Sequence, residues 1–449
     1  MKKVVSLQRQ RNNSLVMLLR FSVSNFLSFY EKVVFDMFPN PNRVRFPEHI
    51  YQHEIPLLKE SAIYGPNGSG KSNFIKAVGF LKLFLTEKDY LHKVDLNRCR
   101  YRLTGANDKP IVFETEFTTH GKYYLYTVRI GKSLSEELYL SGIGKKDDIL
   151  LFRRDGSRLD SEHMDNQASA EKLLSMNPKS SVLPLNSEFP IFNSEDVTIA
   201  YQWFKEKVEV VDITSKIPVL IHMMARNPKL LKFASDMLTS CDLNINGFSI
   251  QEHTFDEWIV KHRDVQVEGI IEKHLKDVGS GLEFGHDMRN EFNVYKDTDG
   301  TRKVQEFAFN QFGVGGYEGV MDILSQSDGT VRMLTLIPAF YDALFNEKTV
   351  FVDEIENSMH PNLIYEMVKY YSSKRSNGQL IYTTHLSKLM DQQNLLRLDE
   401  YWIVRKEDGQ TKMRSMSDFN IHNTIKIENG YLQGRYGGVP QVNLEIEDV

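Results

Sequence analysis

Two periods of apolar and polar positions run along this chain, one typical of strands and one typical of helices. From Met17 onward, the runs LLRFSVSNF and FYEKVVFDM are rich in aromatic and β-branched residues, which predicts two strands joined at a turn. Residues 110–152 alternate and predict an antiparallel β region. From about 195 to 280 apolar residues recur at helical spacing without a sustained heptad, which predicts a compact helical insertion or lid and not a long coiled coil.

The last third of the chain alternates strands with helices. A helix is expected after Ser327, a strand at Thr349–Val352, a helix at about 361–374 and a strand at 379–383. Strands that alternate with crossover helices are typical of a parallel sheet. The pattern therefore predicts an α/β fold with a parallel or mixed sheet and a separate antiparallel β region.

Composition narrows the class of protein. Of 449 residues, 41% are apolar and 26% charged, and the net charge is −5, so no overall basic excess indicates nucleic-acid binding, although a local basic groove stays open. The two cysteines, Cys99 and Cys241, lack metal-ligand spacing and suit a reducing cytoplasm. No apolar run approaches the ~20 residues of a membrane helix. We expect a cytoplasmic protein with no membrane contact.

A glycine-rich turn is the clearest indication of a functional site in the sequence. Residues 65–72 match G-x-x-x-x-G-K-S, between a predicted strand and a predicted helix, which is the context of a phosphate-binding P-loop. Its glycines allow backbone N–H groups to face phosphates, and the helix N-terminus adds positive potential. Lys71 is expected to reach the β- and γ-phosphates, and Ser72 to bind Mg²⁺. The predicted nucleotide-binding residues are Gly65, Pro66, Asn67, Gly68, Ser69, Gly70, Lys71, Ser72 and Asn73.

Two later strands end in polar residues. The run TVFV is followed by Asp353 and Glu354, and the run QLIYTT by His385. Because parallel strands end at one edge of a sheet, we expect these residues beside the P-loop. Asp353 suits Mg²⁺, directly or through water, and Glu354 suits the polarisation of an attacking water. His385 suits sensing of the γ-phosphate or holding of that water.

A third polar turn, 325–330, precedes the helix that carries Arg332. A serine and a glycine at a helix N-terminus can form an anion-binding site or an ordinary helix cap. Taken alone, this sequence pattern favours interpretation as a helix cap.

The order of these motifs resembles the ABC-type ATPases of the SMC/RecF and OLD branch. The resemblance implies an ABC-ATPase-type head that binds ATP and Mg²⁺, hydrolyses ATP, and forms homo-oligomers in which nucleotide is sandwiched between two heads. It also implies that Ser327, Asp328 and Gly329 contact nucleotide held by the other subunit. On this basis 17–155 and 301–449 are the two halves of the head, and 156–300 is a mainly helical insertion.

The match is closer to the RloA-like and PARIS AriA-like ATPases of bacterial phage defence. It rests on LLRFSVSNFLSF, GPNGSGKSN, SDGTVRML, VFVDEIENSMHP and YTTH, and it implies a switch or scaffold subunit that controls a separate nuclease or Toprim-like effector. The family's glutamine is missing between Gln52 and Gln167, where Glu114 or Glu116 could stand in its place.

Other motifs have plainer interpretations. Asp297-Thr-Asp299-Gly300 reads as a hairpin turn and not as a Toprim metal motif. The Lys145-Lys146 and Arg153-Arg154 pairs read as solvated turns, with a DNA track as the alternative. The tail 433–440 is either a partner contact or a loop packed on the core.

Three functions follow from these observations. The favoured one is an ATPase switch in an anti-phage, toxin–antitoxin-like system. The alternatives are a RecF/SMC-like ATPase that clamps DNA in repair or maintenance, and a nucleotide-gated scaffold without hydrolysis.

Overall fold

The computed structural model describes most of the chain. The described residues are 15–105, 107–142, 147–211, 217–241, 243–262, 283–284, 292–297, 299–419, 421 and 426–440.

A six-stranded sheet forms the centre of the fold. In spatial order its strands are Val208–Val211, Thr349–Val352, Gln379–Thr384, Glu60–Tyr64, Tyr401–Glu407 and Gln410–Ser415. The first five are parallel to their neighbours and the sixth is antiparallel. We call Glu60–Tyr64 the P-loop strand, Thr349–Val352 the acidic strand and Gln379–Thr384 the histidine strand. The predicted α/β fold class is confirmed.

A seven-stranded antiparallel sheet packs beside the central one. Its strands, in spatial order, are Arg158–Asp160, Ile149–Asp155, Leu134–Leu140, Lys122–Ile130, Ile111–Thr119, Met17–Ser24 and Val33–Asp36. The two strands expected after Met17 and the antiparallel region expected at 110–152 both form here.

A third sheet precedes the turn at 325–330. In spatial order it contains Ile245–Thr254, Arg302–Phe312, Phe292–Lys296 and Glu283–Phe284. A fifth strand, Glu318–Met321, also pairs with the end of Arg302–Phe312. A short pair, Ile50–Tyr51 with Leu57–Leu58, lies before the P-loop strand. Asp297 and Gly300 close a hairpin turn, since the Gly300 N–H donates to the Asp297 carbonyl at 2.9 Å. The hairpin interpretation of this motif is confirmed.

Helices cover the sheets. They are Lys71–Thr86, Tyr90–Lys93, Leu96–Cys99, Gln167–Met176, Val182–Glu188, Glu195–Gln202, Ile217–Arg226, Pro228–Thr239, Phe255–His262, Asp328–Phe345, Pro361–Ser373 and Ile427–Leu432. We call Lys71–Thr86 the P-loop helix and Asp328–Phe345 the signature helix. In the described part of the chain, no helix is both long and apolar enough to cross a membrane.

The central sheet is buried on both faces, which explains its continuous apolar strands. Along the acidic strand, Phe351 belongs to the core shared with the P-loop helix and the antiparallel sheet. Its neighbours Val350 and Val352 belong to the core shared with the signature helix. The two-residue period of a strand therefore divides the apolar residues between two cores.

Two strands interrupt the segment expected to be helical. Val208–Val211 adds an edge strand to the central sheet beside the acidic strand, and Ile245–Thr254 pairs with Arg302–Phe312. The expectation of helix is wrong at these residues, because the β-branched run VEVV and a long partner strand favour extended backbone. Part of the expected helical region, 263–282, lies outside the described residues.

The paired arginines near 153 have different surroundings. Arg153 lies at the surface and donates to Glu137, whereas Arg154 is fully buried and donates to Glu136 at 3.0 Å and to the Ser180 carbonyl at 2.6 Å. The interpretation of both as solvated is therefore wrong for Arg154, which is a core ion pair. Lys145 and Lys146 lie outside the described residues.

Candidate functional site

Three parallel strands end at one edge of the central sheet. The histidine strand lies between the other two, with Tyr64 opposite Thr384 and Val352 opposite Tyr382. The residues that follow these strands begin the P-loop, the acidic pair and the turn with His385. The predicted convergence is therefore observed, although the histidine strand separates the P-loop strand from the acidic strand.

The P-loop depends on glycine where its backbone meets other segments. A Cβ atom on Gly65 would lie 2.3 Å from the Val404 carbonyl, and one on Gly70 would lie 2.2 Å from Thr411 Oγ1. Gly70 also has φ 115° as the residue before the P-loop helix, a region that side chains rarely adopt. Gly68 has φ 73°, but its Cβ direction is open. The two outer glycines therefore let the loop lie against the neighbouring chain.

A hydroxyl network supports the loop from behind. The Thr411 hydroxyl lies 2.7 Å from the Ser69 carbonyl, to which it donates, and 2.8 Å from Ser28 Oγ. The Asn73 side-chain amide donates to the same Ser28 oxygen at 2.8 Å. Sequence reasoning missed Ser28 and Thr411 as supporting residues. Ser28 lies within the run LLRFSVSNFLSF that carries the resemblance, whereas Thr411 gives no sequence signal.

Lys71 begins the P-loop helix and folds back over the loop. Its ammonium group donates to the Gly65 carbonyl at 2.7 Å and to the Pro66 carbonyl at 3.2 Å. Burial lowers the pKa of Lys71 to about 8, while the nearby carboxylates of Glu354, Glu356 and Asp353 act in the opposite direction. The lysine and the acidic turn thus lie within electrostatic reach of each other.

Thr383 connects the two acidic residues. Its hydroxyl donates to Asp353 Oδ1 at 2.6 Å and accepts from the Glu354 N–H at 2.7 Å. Asp353 is buried. The hydrogen bond orients one carboxylate oxygen, and carboxylate oxygens are hard ligands of the kind that Mg²⁺ prefers. The role of Thr383 was not recognised in the sequence.

The backbone of the acidic turn is held from the signature helix. Glu354 has φ 46°, which is uncommon for a residue with a side chain. Arg332 donates to the carbonyls of Asp353 at 2.8 Å and Glu354 at 3.0 Å. A guanidinium that binds two successive carbonyls stabilises this turn. The sequence pattern predicted that Arg332 lies on this helix, but it did not indicate a role for the side chain.

His385 lies at the exposed end of the histidine strand. Its backbone N–H donates to the Glu356 carboxylate. Partial burial and the charge of Lys71 lower the pKa of His385, against the opposing carboxylates of Glu356, Glu354 and Asp353. The imidazole is therefore neutral near pH 7 and can both donate and accept a hydrogen bond.

The turn before the signature helix caps that helix. Ser327 accepts a hydrogen bond from the Thr330 N–H at 3.2 Å, and Asp328 lies in the first turn. A Cβ on Gly329 would lie 2.8 Å from the Ser358 carbonyl, so glycine allows the helix to approach the loop after Glu354. Among hydrogen bonds and ion pairs of the described residues, none joins 327–329 to 65–73. Ser327 and Asp328 are exposed.

The hydrogen-bond donors of the loop would suit a phosphate group. The buried Ser69 hydroxyl is without a hydrogen-bond partner among the described residues. Backbone N–H groups at the N-terminus of the 16-residue P-loop helix complete an anion site. Ser72 is partly buried at the start of the P-loop helix, and its hydroxyl and the Asp353 carboxylate are the kind of oxygen ligands that would suit Mg²⁺.

The two candidates for the position of the missing glutamine have ion-pair partners away from the P-loop. Glu114 forms an ion pair with Lys32, and Glu116 forms one with Arg20 at 2.8 Å, so both carboxylates have partners within the antiparallel sheet.

The tail packs on the core behind the P-loop. Tyr436 is buried against Phe419 and Gly430, and the Tyr431 hydroxyl donates to the Gly438 carbonyl at 2.7 Å. A Cβ on Gly438 would lie 3.8 Å from the Gly65 Cα atom. Tyr436 and Gly438 therefore pack on the core, whereas Gln433 and Arg435 are exposed.

This chain is similar to a known protein family and to several solved structures. One family model, described as "AAA domain, putative AbiEii toxin, Type IV TA system", matches residues 61–205 and 242–391. Among solved structures, the chain is similar to an SMC head bound to the C-winged helix domain of ScpA, with 13% identity, a TM-score of 0.45, and coverage of 89% of this chain and 97% of that chain. No curated protein gives a match.

Two further SMC structures are also similar. The SMC head domain from Thermotoga maritima has 12% identity, a TM-score of 0.40, and coverage of 89% of this chain and 98% of that chain. The Pyrococcus furiosus Smc head with an extended coiled coil, bound to the C-terminal domain of ScpA, has 15% identity, a TM-score of 0.40, and coverage of 90% of this chain and 98% of that chain.

Because the family model spans well over half of the chain, and its first segment contains the P-loop, this protein belongs to that AAA-domain family of P-loop ATPases.

Proposed function

We propose that this protein hydrolyses ATP when two copies close over nucleotide, and that the closed assembly controls a separate effector in a bacterial anti-phage system. The observation that carries the proposal is the convergence of Lys71, Asp353, Glu354 and His385 at one edge of the central sheet. A P-loop next to two differently placed acids provides the parts needed for phosphoryl transfer to water.

Different residues perform different parts of the proposed reaction. Backbone N–H groups of 65–72 and Lys71 hold the phosphates, and Ser72 and Asp353 hold Mg²⁺, which neutralises negative charge on the phosphate oxygens. Glu354 orients and polarises the attacking water, and His385 is placed to hold that water or to contact the γ-phosphate. Thr383 aligns Asp353 with the Glu354 backbone.

A second copy completes the site in this proposal. Ser327 and Asp328 lie at an exposed helix N-terminus that makes no hydrogen bond or ion pair with the P-loop of the same chain in the described residues. The dipole of the 18-residue signature helix favours an anion at this end. We therefore assign 327–329 to nucleotide held by the partner copy.

The surface beside the turn at 325–330 supports self-association. Val314 is 99% exposed, and the nearby Tyr317, Val320 and Leu324 are also exposed. Exposed apolar residues that cluster within one short segment are typical of interfaces. Because they adjoin the proposed contact with the partner's nucleotide, a second copy of this chain is the occupant that fits.

The proposed biological role follows from the family and from the motifs. The family description refers to an AbiEii toxin and a Type IV toxin–antitoxin system. The sequence resemblance to RloA-like and PARIS AriA-like ATPases favours a switch or scaffold subunit. A nuclease or Toprim-like protein encoded nearby is the proposed effector.

Hydrolysis and assembly can be measured together. Wild-type protein, Glu354→Gln and Lys71→Ala are compared for ATP turnover, nucleotide binding, and molar mass by light scattering with and without Mg-ATP. We expect turnover by the wild type, stable ATP-bound dimers of Glu354→Gln with turnover reduced at least ~100-fold, and no binding by Lys71→Ala. The exposed Glu162→Gln is the matched control and should behave as wild type.

Three outcomes would contradict the proposal. They are a wild type without ATP turnover, a Glu354→Gln protein that hydrolyses ATP at the normal rate, and ATP-bound Glu354→Gln that stays monomeric. Co-purification of Glu354→Gln with ATP from its native operon then tests the effector. Capture of a salt-sensitive DNA complex in place of a protein would favour a DNA-clamping ATPase.

A further inference from the structure

Three buried ionisable side chains meet at the sheet edge opposite the nucleotide site. They are His49 at 2% exposure, and Glu60 and Glu400 at 0%. His49 Nδ1 lies 3.0 and 3.1 Å from the two carboxylate oxygens of Glu400, and 3.7 Å from Glu60 Oε1. One ligand atom from each residue lies within 4.8 Å of the others. Three separate segments thus direct a nitrogen and two carboxylates to one point.

Glu60 is the unusual member of this cluster. Neither of its oxygens has a hydrogen-bond partner among the described residues. The Ser372 hydroxyl, which lies nearby, donates instead to the Val368 carbonyl at 2.9 Å. A buried carboxylate without a partner is costly, by several kcal/mol, unless a cation or a proton neutralises it.

Apart from His49, which is hydrogen-bonded to Glu400 and lies 3.7 Å from Glu60, no cationic side chain of the described residues forms an ion pair with these two carboxylates. Arg397 is already bound to both carboxylate oxygens of Asp399, at 2.9 and 2.8 Å. Lys59 forms no ion pair within 4 Å among the described residues, and its ammonium lies 5.5 Å from the Tyr51 ring centre. Glu60 is therefore a fully buried carboxylate whose oxygens have no hydrogen-bond partner among the described residues.

We propose that His49, Glu60 and Glu400 supply three of the four ligands of a Zn²⁺ site. Zinc bound to nitrogen at about 2.0 Å and to oxygen at about 2.1 Å in a tetrahedron places its ligand atoms about 3.4 Å apart. The observed separations from His49 Nδ1 to the two carboxylates are 3.0 and 3.7 Å, on either side of that value, and all three ligand atoms lie within 4.8 Å of one another.

The nitrogen and oxygen atoms of the three ligands indicate which class of metal ion the site would bind. An imidazole nitrogen with two carboxylates suits Zn²⁺, whereas Ca²⁺ and Mg²⁺ prefer oxygen ligands alone. The backbone N–H of Arg397 donates to Glu400 Oε2 at 2.6 Å, which holds this carboxylate in position as outer hydrogen bonds commonly do around metals.

The ion would tie together distant parts of the chain. His49 ends the turn Pro47–His49, Glu60 begins the P-loop strand, and Glu400 directly precedes the strand Tyr401–Glu407. Glu60 and Tyr64 are the two ends of the P-loop strand, about 13 Å apart along an extended backbone. The zinc site is therefore distinct from the Mg²⁺ site, and its role is to stabilise the strand that carries the P-loop.

Metal analysis of the full-length protein tests this directly. The protein is purified without chelator, dialysed against metal-free buffer and measured by mass spectrometry for zinc. We expect about one zinc ion per chain, and an unfolding temperature that falls by about 5 °C in EDTA without nucleotide and recovers with added Zn²⁺. Wild-type protein that holds no zinc and whose unfolding temperature does not change with Zn²⁺ would overturn the proposal.

Matched variants separate this site from adventitious binding. Glu60→Gln and His49→Gln keep side-chain size while removing a ligand, and should weaken zinc binding at least ~10-fold. Asp353→Asn alters the nucleotide site alone and should retain zinc. Full zinc content in Glu60→Gln and His49→Gln would place the ion elsewhere and also overturn the proposal, whatever the ATPase activity proves to be.

Discussion

The Thr383 hydroxyl donates a 2.6 Å hydrogen bond to Asp353 Oδ1 and accepts a 2.7 Å bond from the Glu354 N–H. One side chain at the end of the histidine strand thereby sets the relative positions of the two acids on its neighbour. Their proposed tasks, metal binding and water activation, differ, so their alignment matters for turnover.

Replacing Thr383 by Val removes both hydrogen bonds while keeping the shape of the side chain. We expect kcat for ATP to fall at least about tenfold, the loss that follows from about 1.4 kcal/mol of positioning energy. Thr383→Ser retains the hydroxyl and should restore most of the activity. Steady-state ATPase assays over a range of Mg²⁺ concentrations measure the effect, and normal turnover by Thr383→Val would refute it.

The packing at Gly70 predicts a change in both stability and nucleotide binding. Gly70→Ala places a Cβ 2.2 Å from Thr411 Oγ1 at φ 115°. We expect a loss of about 2–4 kcal/mol in unfolding free energy and a large loss of ATP affinity. Gly68→Ala is the control, because its Cβ direction is open and only the strained backbone costs about 1–2 kcal/mol.

Chemical denaturation and binding of a fluorescent ATP analogue measure these two quantities. Removing the hydroxyl in the double variant Gly70→Ala/Thr411→Ala should recover part of the stability, because the close contact is relieved. Equal effects at Gly70 and Gly68 would show that the contact with Thr411 is unimportant.

The lowered pKa of Lys71 predicts a pH dependence of ATP binding. Burial lowers this pKa to about 8, so the ammonium is present below that pH and is lost as the pH rises through it. ATP affinity should then decrease about fivefold between pH 8 and pH 9, as the charged fraction falls. Titration calorimetry at several pH values measures this. In Lys71→Arg, whose side chain stays charged, any remaining binding should be independent of pH in this range; the same slope in both proteins would contradict the assignment.

Gln379 links the central and antiparallel sheets. Its buried amide accepts from the Leu18 N–H at 2.8 Å and donates to the carbonyls of Leu18 at 3.0 Å and Leu58 at 3.1 Å. Gln379→Met leaves these buried backbone groups without partners and should lower the unfolding free energy by about 2–5 kcal/mol. The exposed Gln202→Met should change it by less than about 0.5 kcal/mol. Denaturant titrations compare the two, and similar stabilities would disprove the role of Gln379.

Local signals made the central elements predictable. The motif at 65–72, the acidic strand and the histidine strand were recognisable because each combines a continuous apolar run with a change to polar residues at its end. A strand in a sheet that is buried on both faces needs such a run. Val208–Val211 was missed because its four residues lie within a longer helical pattern.

The sequence by itself determined the nucleotide-binding class of this protein, since the P-loop and its flanking elements are contiguous and their chemistry is local. Only the tertiary structure decided which residues support them. Ser28 meets Thr411, and Glu60 meets Glu400, across more than three hundred positions. Such contacts depend on the order and register of strands in the sheets, and no local pattern of side chains encodes which distant strands become neighbours.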